Sequence, residues 1–168
     1  MSNRLKIIIR EEIRECLNEY GHENYKDNAI DLLYKKYGLN KNIVYHGSPD
    51  ITYLKSIGDI DTVNNTQNAK SKYIFVNNKP SIAINYSSDY NNRFTPNSGI
   101  AVFLLKGKGY VMKKHDIPIA FKSMDDFELF LDEKKTLGYD FVKIPQDGNN
   151  IAILNVNVLT LMEIFKIM

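Results

Sequence analysis

The chain has one cysteine, no tryptophan, five prolines and three histidines in 168 residues. A lone Cys16 has no partner for an internal disulfide, so the sequence reads as a protein of a reducing compartment. His22, His46 and His115 include no pair at helical spacing, and with one thiol they leave too few ligands for a structural zinc site. Neither sign of charge dominates. The 22 Lys and Arg residues against 20 Asp and Glu leave a net charge of +2, a balance that announces neither nucleic acid nor an anionic membrane as the main partner. Long hydrophobic runs are missing as well. Ile7-Ile8-Ile9 follows a basic start, but Arg10-Glu11-Glu12 ends the run far short of a signal-peptide core or a membrane span. The expectation is a cytoplasmic protein that acts where it is made, or leaves by lysis or by packaging into a larger particle.

Hydrophobic content of 43% with 25% charged residues is the composition of a soluble globular chain, long enough for one ordinary core. Residues 1–40 read as a helical hairpin. Leu5, Ile9, Ile13 and Leu17 recur every four residues, with Ile8 and Cys16 widening the stripe and Gly21 as a stop. Ala29, Ile30, Leu33, Tyr34 and Tyr37 form a second stripe that ends at Gly38, with Lys35 and Lys36 in its last turn.

From Ile43 the period changes, and residues 41–168 read as a β-rich domain. Strands are expected at Ile43–His46, Tyr73–Val76, Ile100–Lys106, Gly109–Met112, Tyr139–Ile144, Ile151–Leu154 and Leu159–Lys166. Pro80 starts a short helix over Ser81–Tyr86, and Ser123-Met124-Asp125-Asp126 reads as a helix cap before Phe127, Phe130, Leu131 and Leu137, with Gly138 as the stop. Asp147-Gly148-Asn149 marks a tight turn. Asn-rich stretches at 64–68 and 91–97 read as exposed loops. Lys106-Gly107-Lys108-Gly109 lacks the spacing of a phosphate loop and reads as a hairpin corner. The fold class expected is α+β: an N-terminal helical hairpin on a mainly antiparallel, two-sheet domain.

Three segments carry the chemistry. Val44-Tyr45-His46-Gly47-Ser48 is an apolar run that ends by placing an imidazole and a bare backbone at a strand end. Tyr73-Ile74-Phe75-Val76 and Ser81-Ile82-Ala83-Ile84-Asn85-Tyr86 form a strand, a Pro-started turn and a helix carrying a tyrosine. Gly138-Tyr139-Asp140-Phe141-Val142, a turn, and Asn150 before Ile151-Ala152-Ile153-Leu154 form the third. In this order the segments resemble the NAD-binding half of ADP-ribosyltransferases with a His-Tyr-Glu type of active site, the class of the diphtheria-toxin-like toxins, the poly(ADP-ribose) polymerases and the rifamycin-modifying transferases.

The resemblance covers residues 43–166 and implies an ADP-ribosyltransferase-like fold that takes NAD as substrate. It implies that His46 hydrogen-bonds the ribose and that Gly47 matches the nicotinamide carboxamide through its main chain, with Ser48 as an auxiliary polar group. Phe75 and Tyr86 are then the nicotinamide slot, with Ala83 facing inward one helical turn before Tyr86 and Tyr73 beside Phe75 on one strand face. Most relatives have tyrosine at the position of Phe75; phenylalanine keeps the π-surface and loses the hydroxyl. The glutamate position holds Asn150, which can hydrogen-bond a hydroxyl but supplies no charge and no base. Asp147 stands close in sequence and is the candidate substitute.

The activity implied is mono-ADP-ribosyl transfer to a protein or small-molecule acceptor, with His46, Tyr86 and Asn150 at the catalytic positions. The alternative is a non-catalytic module of the same fold. The stretch from Arg4 to Glu19 resembles an N-terminal helix of tailed-bacteriophage proteins, which implies a virion or accessory protein that docks a protein partner through its N-terminal helices. The arginine-specific class of transferases does not fit, because its Arg strand, Ser-Thr-Ser strand and Glu-x-Glu turn are missing from this sequence.

Overall fold

A computed structural model of the chain describes residues 26–38, 40–52, 73–89 and 93–167. The stripe expected at Leu5, Ile9, Ile13 and Leu17, its stop at Gly21 and the loop at 64–68 lie outside the described residues. Among the described residues the fold is mixed α and β, with four helices and a seven-stranded, mostly antiparallel sheet. Helix α1 covers residues 26–37. Gly38 ends it at φ +61°, a conformation with no steric cost for glycine. Ala29 and Leu33 of α1 are buried against Ile43, Tyr45, Ile100 and Val102 of the sheet.

The strands are β1 (Ile43–Ser48), β2 (Ile74–Asn77), β3 (Gly99–Leu105), β4 (Gly109–Val111), β5 (Phe141–Ile144), β6 (Asn150–Ile153) and β7 (Leu159–Lys166). Between β2 and β3, α2 (Pro80–Ala83) runs into a 3-10 turn at Ile84–Ser87. Two helices, α3 (Ile117–Ala120) and α4 (Met124–Thr136), join β4 to β5. Helix α4 begins where Ser123 Oγ accepts the Asp126 N–H at 3.1 Å. Acidic Asp125 and Asp126 stand in its first turn and Lys134 and Lys135 in its last, each at the end the helix dipole favours. Phe127, Phe130, Leu131 and Lys134 form its buried face, at the i, i+3, i+4, i+7 spacing of an amphipathic helix. Helix α3, which follows Asp116 and carries Pro118 in its first turn, was not expected from the pattern.

The strand order is β4-β5-β6-β2-β1-β3-β7, and only β4 and β5 run parallel. This order corrects the reading of Lys106–Gly109 as a hairpin corner, because β3 and β4 do not pair. Five steps across the sheet separate them, about 24 Å if the sheet were flat at ~4.8 Å per strand. The chain from Leu105 to Gly109 reaches no more than about 14 Å. The sheet must therefore curl until its β4–β5 end meets the loop after β3. The two ends meet at Gly107, where a Cβ would stand 2.8 Å from Asp140 Oδ2 and 2.9 Å from Val158 Cγ1. On either side Lys106 N–H donates to the Val158 carbonyl at 2.9 Å and Lys108 N–H to Asp140 Oδ2 at 2.8 Å, prolonging the β3–β7 and β4–β5 ladders. One core cluster lies in the concavity, joining Phe103 and Leu105 of β3 to Phe141 of β5, Ile153 of β6 and Leu159 of β7.

The expected two sheets are thus one hydrogen-bonded sheet folded over on itself. Its two halves are tied unequally. Strand β1 shares six registered pairs with β3, and β2 shares four with β6, but β1 and β2 share the single pair Tyr45↔Asn77. Helices cover the outer face of the β4–β2 half, where Tyr73, Val142, Ile144 and Ala152 pack on Phe127, Phe130 and Leu131 of α4. Among the described residues no helix is long and apolar enough to cross a membrane.

Candidate functional site

The weak join between β1 and β2 decides what the end of β1 can do. Leu105 N–H donates to the Asn42 carbonyl at 2.7 Å, which sets the phase of the β1–β3 ladder. Val44, His46 and Ser48 spend their backbone groups on β3, and Ile43, Tyr45 and Gly47 turn theirs toward β2. Pairing with β2 stops at Tyr45↔Asn77. The N–H and C=O of Gly47 therefore face β2 with no registered partner. Gly47 is buried, a place where backbone polar groups are almost always matched.

His46 sits in the same opening. Its Nδ1 lies 3.0 Å from the Phe75 carbonyl of β2. A carbonyl only accepts, so Nδ1 carries the proton. Burial pushes the imidazole below its ordinary value, with the Phe75 carbonyl opposing, so the ring is neutral and Nε2 is a bare acceptor. No described residue donates to Nε2. The opening thus offers an acceptor on His46 and, one residue on, a donor and an acceptor on Gly47.

Glycine at 47 has a packing reason too. A Cβ there would stand 1.8 Å from the Ala83 carbonyl and 2.7 Å from Ser87 Oγ. The α2 segment presses on β1 at this point, held by Ser87 Oγ donating to the Gly99 carbonyl at 2.9 Å. Ala83 is buried beneath it, and Tyr86 on the following 3-10 turn is 58% exposed. Tyr86 therefore does not enter a closed core.

The remaining positions are spent within the fold. Ser48 Oγ turns into its own loop, donating to the Asp50 carbonyl at 2.9 Å and accepting the Asp50 N–H at 3.2 Å. The Tyr73 hydroxyl donates to Asp132 of α4. Phe75 stacks on Phe127 with ring centroids 6.2 Å apart, and Phe127 stacks in turn on Phe121 at 5.2 Å.

Asn150 is 7% exposed and bonded through both ends of its amide. Its Oδ1 accepts from Asn77 Nδ2 at 2.9 Å, and its Nδ2 donates to Asp147 Oδ2 at 3.0 Å. Asn150, Asn77 and Tyr45 form one cross-strand row, so they share a face. Strand alternation sends His46 to the other face. The structure joins His46 to Phe75, Gly47 to Ala83, and Asn150 to Asp147; it does not gather His46 and Asn150 on one side of the sheet.

Asn77 was missed by sequence reasoning. It follows the apolar run Tyr73–Val76 and reads as a loop residue, and its partner lies 73 positions away. No local pattern signals such a pair.

Two concavities of about 400 and 410 Å³ open elsewhere, one lined by Tyr139, Asp140, Leu154 and Asn155, the other by Leu32, Leu33, Glu163 and Phe165. Glu163 in the second accepts from Tyr37 at 2.5 Å and Lys36 at 2.6 Å; these bonds hold its carboxyl below the usual value against burial. Among the described residues no three His, Cys, Asp or Glu side chains gather as metal ligands would.

No protein-family model matches the chain, and no curated protein or solved structure matches it significantly.

Proposed function

We propose that the protein binds NAD at the β1–β2 opening through its nicotinamide riboside half and acts as a mono-ADP-ribosyltransferase on a protein or small-molecule acceptor. One observation carries the reading: β1 and β2 part immediately beside His46 and Gly47, leaving Nε2, one N–H and one C=O turned toward the gap. A primary carboxamide presents one acceptor and a donor pair, the complement of a backbone N–H and C=O, and a ribose hydroxyl can donate to neutral Nε2. Tyr86, exposed on the segment that presses on Gly47, supplies a ring face for the pyridine. Departure of nicotinamide leaves positive charge at the ribose, which needs a nearby negative group. Asn150 cannot provide it, and Asp147 is held against Asn150, on the strand face opposite His46, so the charge falls to the acceptor.

The hydrogen-bonded Asn77–Asn150–Asp147 chain, turned away from His46, favours a second reading, in which the opening recognises the ligand without cleaving it. The two readings separate in one experiment. The protein is mixed with NAD labelled on the adenylate side, with and without cell lysate, and binding, free nicotinamide and label on macromolecules are scored together. Binding with nicotinamide release supports transfer, and binding alone supports recognition. No binding and no thermal shift at millimolar NAD overturn both.

A further inference from the structure

Asn77 stands at the one registered pair that joins the two halves of the sheet. Its side chain is 2% exposed, and it reaches three separate parts of the chain. Nδ2 donates to Asn150 Oδ1 at 2.9 Å and to the Gly148 carbonyl at 3.1 Å, while Oδ1 accepts the Lys79 N–H at 2.9 Å. Gly148 and Asn149, at φ 59° and 63°, form the turn between β5 and β6. Lys79 precedes Pro80 at the start of α2, and α2 carries the Ala83 carbonyl onto Gly47. A single buried amide therefore ties together β6, the β5–β6 turn and the start of α2, at the residue whose backbone pairs with Tyr45 of β1.

We propose that Asn77, clamped by Asn150, is a positioning residue for the β1–β2 opening: it sets how far the edge of β2 stands from β1. That distance decides whether His46 Nδ1 reaches the Phe75 carbonyl while Gly47 stays beneath Ala83. The ladder cannot hold the spacing alone, because one pair resists splaying far less than the six that bind β1 to β3. A buried amide with its donors satisfied is rigid, since each broken bond strands a desolvated polar group. The functional meaning of the clamp rests on the opening being the ligand site proposed above; the geometry of the clamp does not.

The test reads the imidazole directly and needs no ligand. Side-chain ¹⁵N NMR of the wild type is expected to show His46 as a single Nδ1–H tautomer. In Asn77→Ser the two strand edges lose their clamp, the His46–Phe75 bond loosens, and a mixture of tautomers replaces the single form. Nicotinamide affinity, measured by calorimetry, falls about tenfold, the weight of one lost hydrogen bond. A folded Asn77→Ser whose His46 remains wholly Nδ1–H means that Asn77 only braces the β5–β6 turn, and the proposal is overturned. Should Asn77→Ser not fold, Asn150→Ser removes one of the bonds and leaves those to Gly148 and Lys79; mixed tautomers there support the clamp and an unchanged ring overturns it. A wild type with the Nδ1–H ring intact that binds no nicotinamide counts against the proposed function and leaves the clamp standing. A wild-type His46 protonated on Nε2 overturns the clamp itself.

Discussion

The two sides of the β1–β2 join differ sharply within one residue of each other. On the Asn77 side buried Asn77 and Asn150 bond each other, and Asn77 also bonds the backbones of exposed Gly148 and Lys79. On the His46 side no described residue donates to Nε2 of the ring, and Gly47 has no registered partner on β2. Saturated polar clusters hold shape, and unsatisfied ones receive ligands. The comparison teaches that motif positions equivalent in sequence can fall on opposite sides of that division. His46 and Gly47 lie with the open groups, and Asn150 with the paired ones.

The sharpest way to break the comparison is Gly47→Ala. The added methyl meets the Ala83 carbonyl at 1.8 Å, a backbone atom that cannot swing aside, so α2 must lift off the sheet. A loss of about 3 kcal/mol or more is expected in urea unfolding, with nicotinamide binding gone. An alanine variant of wild-type stability shows that α2 does not press on β1.

Asn150→Glu probes the bracing side. It puts a longer side chain and a carboxyl into a buried site beside Asp147, and a loss of about 2 kcal/mol is expected. Burial and the neighbouring carboxylate keep such a group protonated, so its folded-state pKa lies above the unfolded one. The variant's deficit is then smallest in acid and grows as the pH rises through the carboxyl range. Urea midpoints at pH 4.5 and pH 7.5 check the sign. Nicotinamide release should not increase, because Asn150 lies on the opposite strand face from His46. Asp147→Asn should leave release unchanged for the same reason.

A smaller effect comes from pH. Burial lowers the folded-state pKa of His46, so the unfolded chain binds a proton first as the pH falls. Stability contributed by the neutral ring is complete above the unfolded value near 6.5, and it is lost as the pH falls from there through the folded value, at up to about 1.4 kcal/mol per unit. His46→Gln should flatten this segment of the pH–stability curve. Glu163, lowered mainly by its bonds from Lys36 and Tyr37, loses its contribution only below the ordinary carboxylate range, and its titration is thereby separable from that of His46.

The smallest change in stability is expected for Tyr86→Ala. At 58% exposure the ring buries little, and unfolding should move by no more than about 0.5 kcal/mol. Its loss should nevertheless abolish the thermal shift given by nicotinamide, which a folded-state ligand produces by mass action. A retained shift removes Tyr86 from the site.

Much of the fold was legible because its signals are local. The alternation and apolar runs from Ile43 onward anticipate all seven strands to within a residue or two at each end, since a strand buries its faces by period. Ser123 before a run at Phe127, Phe130 and Leu131 predicts α4 and its cap, and Asp147-Gly148-Asn149 predicts the turn whose Gly148 and Asn149 lie at positive φ. Helix α3 escaped because four residues give no period. The hairpin expected at Lys106–Gly109 failed because turn chemistry reports that a chain bends and not which strand it then joins.

The sequence by itself determined the strands, α4 and the imidazole and bare backbone at the end of β1, because each is a property of a few neighbouring residues. Only the tertiary structure decided that one sheet folds over on itself and that β1 and β2 meet at a single pair. It alone showed that Asn150 finds Asn77 across 73 positions. Those outcomes depend on which strand edges meet, and edge pairing is a contest among backbone groups that every residue carries alike, so no local pattern of side chains announces the winner.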